Sequence, residues 1–161
     1  MTQAMAQMPP SKSKEVAAKI AMIPIKAGEW TGKAYIQAGK EKIEVNQWEK
    51  ITYLLDSTVI LIEGIGTSEG VMGHHAVAIL GYDPFQQKYL FRSFKDGYVT
   101  DADCKLHADG KFEWLIKSPQ RLTRYTIWLE NKQWHETGEF SLDSGKTWQS
   151  FFEMKLQQSK P

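Results

Sequence analysis

Apolar and polar residues alternate with a period of two through most of the chain after Gly28. Near the end, Trp148, Ser150, Phe152, Met154 and Leu156 share one parity. Gln149, Glu153 and Lys155 share the other, with Phe151 the one large apolar residue there. One apolar face at period two is the pattern of a half-buried strand. The same reading predicts strands near 29–38, 42–55, 57–67, 74–83, 87–95, 98–107, 111–117, 121–130, 133–142 and 147–157. Turn residues lie between them, notably Gly39-Lys40, Asp56-Ser57, Asp83-Pro84, Asp96-Gly97, Asp109-Gly110 and Asn131-Lys132. Asp-Gly marks a tight hairpin because both residues tolerate positive φ. The segment Gly64–Gly73, rich in small residues, reads as the longest loop, at one mouth of the fold.

One early stretch has a different period. From Lys14 to about Met22, Val16, Ala17, Ile20 and Ile23 fall on one side at helical spacing. Ser11 or Ser13 would cap this helix, and Pro24 limits its extension. Residues 1–12 read as a mobile N-terminal tail and 13–158 as a single domain. About ten short strands with next to no helix predict an all-β fold. The expected architecture is a ten-stranded up-and-down antiparallel barrel, with the short N-terminal helix capping one end. The face that points inward is left open. On 121–130, Leu122, Arg124, Thr126 and Trp128 oppose Thr123, Tyr125, Ile127 and Leu129. On 87–95, Lys88, Leu90, Arg92 and Phe94 oppose Tyr89, Phe91, Ser93 and Lys95. Neither strand separates apolar from charged, which fits a barrel holding some polar groups inside.

Composition narrows the function classes. The 161 residues suit one domain, and 42% hydrophobic content supports a sizeable core. With 20 basic against 19 acidic residues, no cationic surplus exists to displace phosphate counterions, so nucleic-acid binding by bulk charge is disfavoured. Cys104 is the single cysteine, which excludes an intrachain disulfide and a cysteine-based zinc cluster. No apolar run is long enough for a transmembrane segment. Ala4-Met5-Ala6 before Gln7 has the small-x-small form of a signal-peptidase site. Read so, the chain begins inside an export signal and the protein is exported or periplasmic; otherwise it is cytoplasmic.

Ser141-Leu142-Asp143-Ser144-Gly145-Lys146-Thr147-Trp148 resembles the Asp-box of sialidase propellers. It occurs once, and a propeller needs several copies, so the expectation is a structural turn. Gly28-Glu29-Trp30-Thr31-Gly32 opens the first strand. With the preceding helix, the strand count and the ending Gly138-Glu139-Phe140-Ser141 through Trp148, it resembles a bacterial family of lipocalin-like (calycin) small β-barrels. That resemblance, over roughly 27–157, implies a Trp30 that closes one barrel end and packs on a late-strand arginine, here Arg124. The heme-binding nitrobindin barrels are similar in their Gly-x-Trp-x-Gly opening. They would imply a heme with His135 as axial ligand, although Lys33-Ala34-Tyr35-Ile36 replaces their glycine-rich continuation. The bland reading of His135 is a turn-proximal histidine beside Trp134.

His74-His75 is a poor chelate, since strand neighbours point to opposite faces. A metal would need one of them with His107, His135, Glu63 or Cys104, and no metal site is expected. Glu63, in an apolar stretch, is expected to be buried in an ion pair. No nucleophile elbow, phosphate loop or metalloprotease motif is present, so no catalytic residue is assigned. The first expectation is a binding or carrier protein for a small apolar or amphipathic ligand, such as a fatty acid, in a cavity made partly aromatic by Trp48, Trp114, Trp128 and Trp134. Trp30, Trp48, Arg92, Arg124, Trp128 and His135 are the expected ligand contacts, the arginines anchoring a polar head. The alternatives are a heme-dependent or isomerase-type enzyme around His75, His135 or Glu63, and a structural or interaction barrel with no ligand. An exposed edge between the first and last strands would allow a homodimer.

Overall fold

The computed structural model describes residues 11–160. The first part of the expected tail, with Ala4-Met5-Ala6, lies outside the described residues. The chain then forms one helix, α1 (Ser13–Ile20), and ten strands. These are β1 (Gly28–Ala38), β2 (Glu41–Leu54), β3 (Val59–Ser68), β4 (Val71–Asp83) and β5 (Lys88–Lys95), followed by β6 (Tyr98–Leu106), β7 (Phe112–Lys117), β8 (Leu122–Glu130), β9 (Gln133–Ser141) and β10 (Gln149–Lys160). Each strand pairs antiparallel with the next, and β1 pairs with β10, so the expected up-and-down barrel is closed. The register runs from Trp30 opposite Gln158 to Ile36 opposite Phe152. Because these end strands satisfy each other, the edge expected to mediate a homodimer does not exist.

The first and last strands meet at close range. A Cβ on Gly32 would strike the carbonyl oxygen of Lys155, so only glycine lets the backbones approach this closely. The expected loop Gly64–Gly73 is instead strand on both sides of a tight turn at Glu69 and Gly70, whose φ values are 51° and 78°. The glycines of β3 thus sit within a strand.

α1 is shorter than its apolar spacing suggested. Lys12 occupies the N-cap without a side-chain bond, and Ser11 spends its hydroxyl on Ser13. At the other end the amides of Met22 and Ile23 turn back to Lys19 and Ile20, tightening the chain before Pro24. α1 packs on β3 and β4. Its C-terminal end is held by the Tyr89 hydroxyl, which donates to the Lys19 carbonyl at 2.9 Å. Tyr53 donates to the Ile25 carbonyl at 3.1 Å, and the Trp30 indole to the Lys26 carbonyl at 2.9 Å.

Beneath this plug the barrel is filled. Ile20, Ile23, Ile25, Trp30, Ile51 and Ile60 are buried, and Leu80, Phe112, Ile127, Trp134 and Leu156 complete the packing. Each large side chain removed from water here contributes about 1.5–3 kcal/mol. The ladder fixes which parity points inward. Ile60 faces Leu80, Leu80 faces Phe91, Phe112 faces Ile127, and Trp134 faces Leu156.

One irregularity redirects the last strand. Between Ser150 and Phe152 the pairing with β9 slips by a bulge at Phe151. Phe152, Met154 and Leu156 therefore point inward, while Trp148 does not continue their face. An extra residue in one strand reverses side-chain parity on either side of it. Trp148 instead lies outside, 3.9 Å beneath the Arg124 guanidinium, with its indole donating to the Gly145 carbonyl.

Candidate functional site

Away from α1 the inward side chains change character. Ala34, Gly64, Gly66, Ala78 and Ala102 are small, and polar groups join them. On β2 the inward parity runs Val45, Gln47, Glu49, Ile51; on β9 it runs Trp134, Glu136, Gly138, Phe140. Glu49 and Glu136 are buried, yet keep 8% and 9% of their surface open to water-sized contact. Gln47 donates to Glu49 Oε1 at 2.8 Å. Opposite them on β3, a Cβ on Gly64 would lie 2.6 Å from Glu49 Oε1, and one on Gly66 would lie 2.8 Å from Gln47 Oε1. The two glycines are the cradle that admits these side chains.

Burial raises the Glu49 carboxyl to about 8, partly opposed by the Gln47 bond. Burial also drives Glu136 well above the ordinary carboxylate range, and the charge of Glu49 adds to it. The two carboxylates thus feel one another inside the same space, with no cation among the groups that act on them. Tyr125 is raised to about 12 by burial and by Glu136.

An aromatic wall adjoins the pair. Phe91 stacks on Trp114 at 5.1 Å, Trp114 stacks on Tyr125 at 5.5 Å, and Tyr125 meets Phe152 edge-on at 5.9 Å. Below, Trp30 meets Trp134 edge-on at 6.0 Å. The Trp134 indole N–H is buried and without a hydrogen-bond partner among the described residues. Toward the end away from α1, His74 faces inward, and burial lowers its imidazole from the ordinary value, with Lys95 adding to the effect and Asp96 opposing it.

Of the expected contacts, Trp30 faces the interior and the other five take the opposite parity. Arg92 pairs with Asp101 at 2.7 Å on the outer face, its side chain 57% exposed. Arg124 pairs with Glu139 at 2.8 Å and covers Trp148, so it neither anchors a guest nor packs on Trp30, whose partner is Trp134. Trp48 faces outward and donates its indole N–H to Glu29. Trp128 and His135 stack on each other outside at 5.2 Å, with Lys111 over the Trp128 ring. An imidazole held there does not reach the interior, so the axial heme ligand expected at His135 does not fit; the inward residue beside it on β9 is Glu136. Glu63 is likewise outside, half-exposed and paired with His75 at 3.0 Å, so the expected ion pair forms without the expected burial.

The sequence reading passed over Glu49 and Glu136. A signal was present in each case: both carry a carboxylate on the parity of Val45 and Ile51, or of Trp134 and Phe140. Two surface hollows lie elsewhere. A groove of about 770 Å³ runs over the outside of β4–β7 between Ile79, Leu90, Leu115 and Lys117. A smaller one of about 290 Å³ crosses β1 and β10. Both are lined chiefly by outward-facing residues and are separate from the carboxylate pair. Among the described residues, no three metal-ligating side chains gather at one point. Among the described residues, no helix is long and apolar enough to cross a membrane, which says nothing of strands.

No family model matches the chain, and no curated protein matches it. Solved structures do. The S-type phycobiliprotein lyase CPES from Guillardia theta superposes with a TM-score of 0.58 at 14% identity, over 94% of this chain and 99% of that one. Rv2717c from M. tuberculosis superposes with a TM-score of 0.62 at 8% identity, over 89% of this chain and 97% of that one. At such identities the likeness is one of fold. The chain is a closed ten-stranded antiparallel barrel, and these two proteins share its fold over nearly their whole lengths.

Proposed function

We propose that this protein binds a small amphipathic molecule inside the barrel, between the aromatic wall of Phe91, Trp114, Tyr125 and Phe152 and the polar pair Glu49 and Glu136. One observation carries the reading. The Glu136 side chain is buried in the interior and, among the described residues, has neither a cation nor a hydrogen-bond donor against it. A largely buried polar group without a protein partner costs up to about 1–3 kcal/mol, and a guest that supplies the partner recovers part of it. A barrel meant only to be stable would place an apolar side chain there. Apolar walls supply affinity by desolvation, and a few convergent polar groups fix orientation. The fold-level likeness to a phycobiliprotein lyase supports a barrel that handles small organic molecules.

A fatty acid anchored by Arg92 or Arg124 has no support in this arrangement, because both guanidinium groups are engaged outside. The isomerase-type alternative would likewise rest on the interior carboxylates and not on His75, His135 or Glu63. The test is native mass spectrometry of protein purified from cells, with tryptophan fluorescence during titration of dodecanol, a neutral amphiphile. A copurified mass, or saturable one-to-one binding that perturbs the inward tryptophans, is expected. No bound mass and no response would leave a barrel with no guest.

A further inference from the structure

We propose that the guest is an organic cation, a protonated amine or a cationic ring system, whose charge sits at Glu49 and Glu136 while its apolar body lies on the aromatic wall. This rests on the interior being a binding site at all. The geometry supports it in three ways. Two carboxylates share the interior, and the one hydrogen bond they receive comes from the neutral amide of Gln47. The surface beside them is aromatic and continuous, from Phe91 through Trp114 to Tyr125. Ring faces attract cations, and do so more strongly where water is excluded. Gly64 and Gly66 keep the acidic side chains seated against β3.

The neighbouring elements add no competing cation. The inward faces of β1, β3 and β10 beside the pair carry Trp30 and Gly32, Ile62 and Gly64, and Met154 and Phe152. β8 contributes the Tyr125 hydroxyl and β6 the Cys104 thiol, raised by burial to about 12. Tyr53, Tyr82 and Tyr89 lie toward α1. His74 on β4 and Lys95 at the end of β5 stand together toward the opposite end. A cation entering between Glu49 and Glu136 supplies the charge both lack and favours release of the protons that burial makes them hold. An anion meets like charge there.

Three probes with one tail and different heads separate the outcomes: dodecylammonium, dodecanol and dodecanoate, titrated into the full chain by calorimetry and tryptophan fluorescence. Dodecylammonium is expected to bind about tenfold or more tighter than dodecanol, with dodecanoate weakest. Its affinity rises as pH climbs through about 8, where the Glu49 carboxyl ionises, while the amine stays charged. Glu49→Gln and Glu136→Gln each reduce dodecylammonium affinity by about tenfold, a larger loss than dodecanol suffers, while far-UV circular dichroism reports that the variants are folded. Tighter binding of dodecanol or dodecanoate, or Gln variants that bind the amine unchanged, overturns the cation assignment alone. Failure of all three probes overturns the interior binding site and this assignment with it.

Discussion

The barrel has two halves made from the same ten strands. Around α1, Ile20, Ile60, Leu80, Phe112, Ile127 and Leu156 fill the space and lose all contact with water. Around Glu49, the same strands supply Gly64, Gly66, Ala78 and Ala102, together with two buried carboxylates. The first half obeys the rule for stability, which is close packing of apolar volume. The second breaks that rule with charge and small side chains. Local departures from foldable patterning gather where a protein does its work. The difference teaches that the plug end bears the fold, while the carboxylate end is where the proposed guest would sit.

The largest effect is expected at the packed end. Phe112→Ala removes a fully buried ring wedged against Tyr89 at 5.2 Å. Urea unfolding should show a loss of about 3–5 kcal/mol. A loss below about 1 kcal/mol would mean the packed half is not what holds the barrel together.

The next effect belongs to the carboxylates and is read through pH. Burial holds the Glu49 carboxyl at about 8 in the folded chain, against an ordinary 4.5. Below the lower value, folded and unfolded chains both keep the proton, and pH does nothing through this group. Between the two, the folded chain holds a proton that the unfolded chain has shed. Stability therefore falls as pH rises through that window, by on the order of a few kcal/mol, and levels off above it. Glu136 acts in the same direction. Glu49→Gln should remove much of this slope in denaturation series from acid to mildly alkaline pH. An unchanged slope would show that Glu49 is solvated and that the two halves do not differ in the way described.

A smaller effect sharpens the comparison at one residue. Ala78 on β4 faces Ile62 and Ser93 across the ladder, in the half with small inward side chains. If this half leaves room for a guest, Ala78→Leu should change stability by less than about 1.5 kcal/mol. The same variant should abolish dodecanol binding. A clear destabilisation by overpacking would mean that this half is as full as the other.

Much of the fold was legible from alternation alone, and less of the site. Strand order, closure and the helix before β1 follow from period two, turn chemistry and the break in period near Lys14. Two features were hidden for physical reasons. Phe151 reverses the parity of β10, and a bulge leaves no mark in a hydrophobic pattern, so Trp148 was placed with Phe152 and Met154. Gly64 and Gly66 look like loop residues because the Glu49 and Gln47 side chains that need their missing Cβ atoms come from another strand. Arginine attracted attention as an anchor because charge on a mixed strand has no visible direction. Arg124 turned out to be satisfied by Glu139 and Trp148, neither adjacent in sequence. Conversely, Glu49 and Glu136 drew no attention, although each shared a parity with large apolar residues.

The smallest expected effect contrasts outside with inside. Arg92 and Arg124 each form an ion pair with a neighbouring strand on the outer face, and Arg124 also covers an indole. Exposed pairs of this kind contribute little, because water screens the attraction and the side chains lose freedom in forming it. Arg92→Ala and Arg124→Ala should therefore leave the affinity for any interior guest within about twofold, since neither guanidinium meets the space around Glu136. Arg124→Ala should also lower Tm modestly by uncovering Trp148, detectable as a red shift of its fluorescence, whereas Arg92→Ala should not. A tenfold loss of guest binding in either variant would place the ligand on the outside of the barrel and return the arginines to the anchoring role that their charge first suggested.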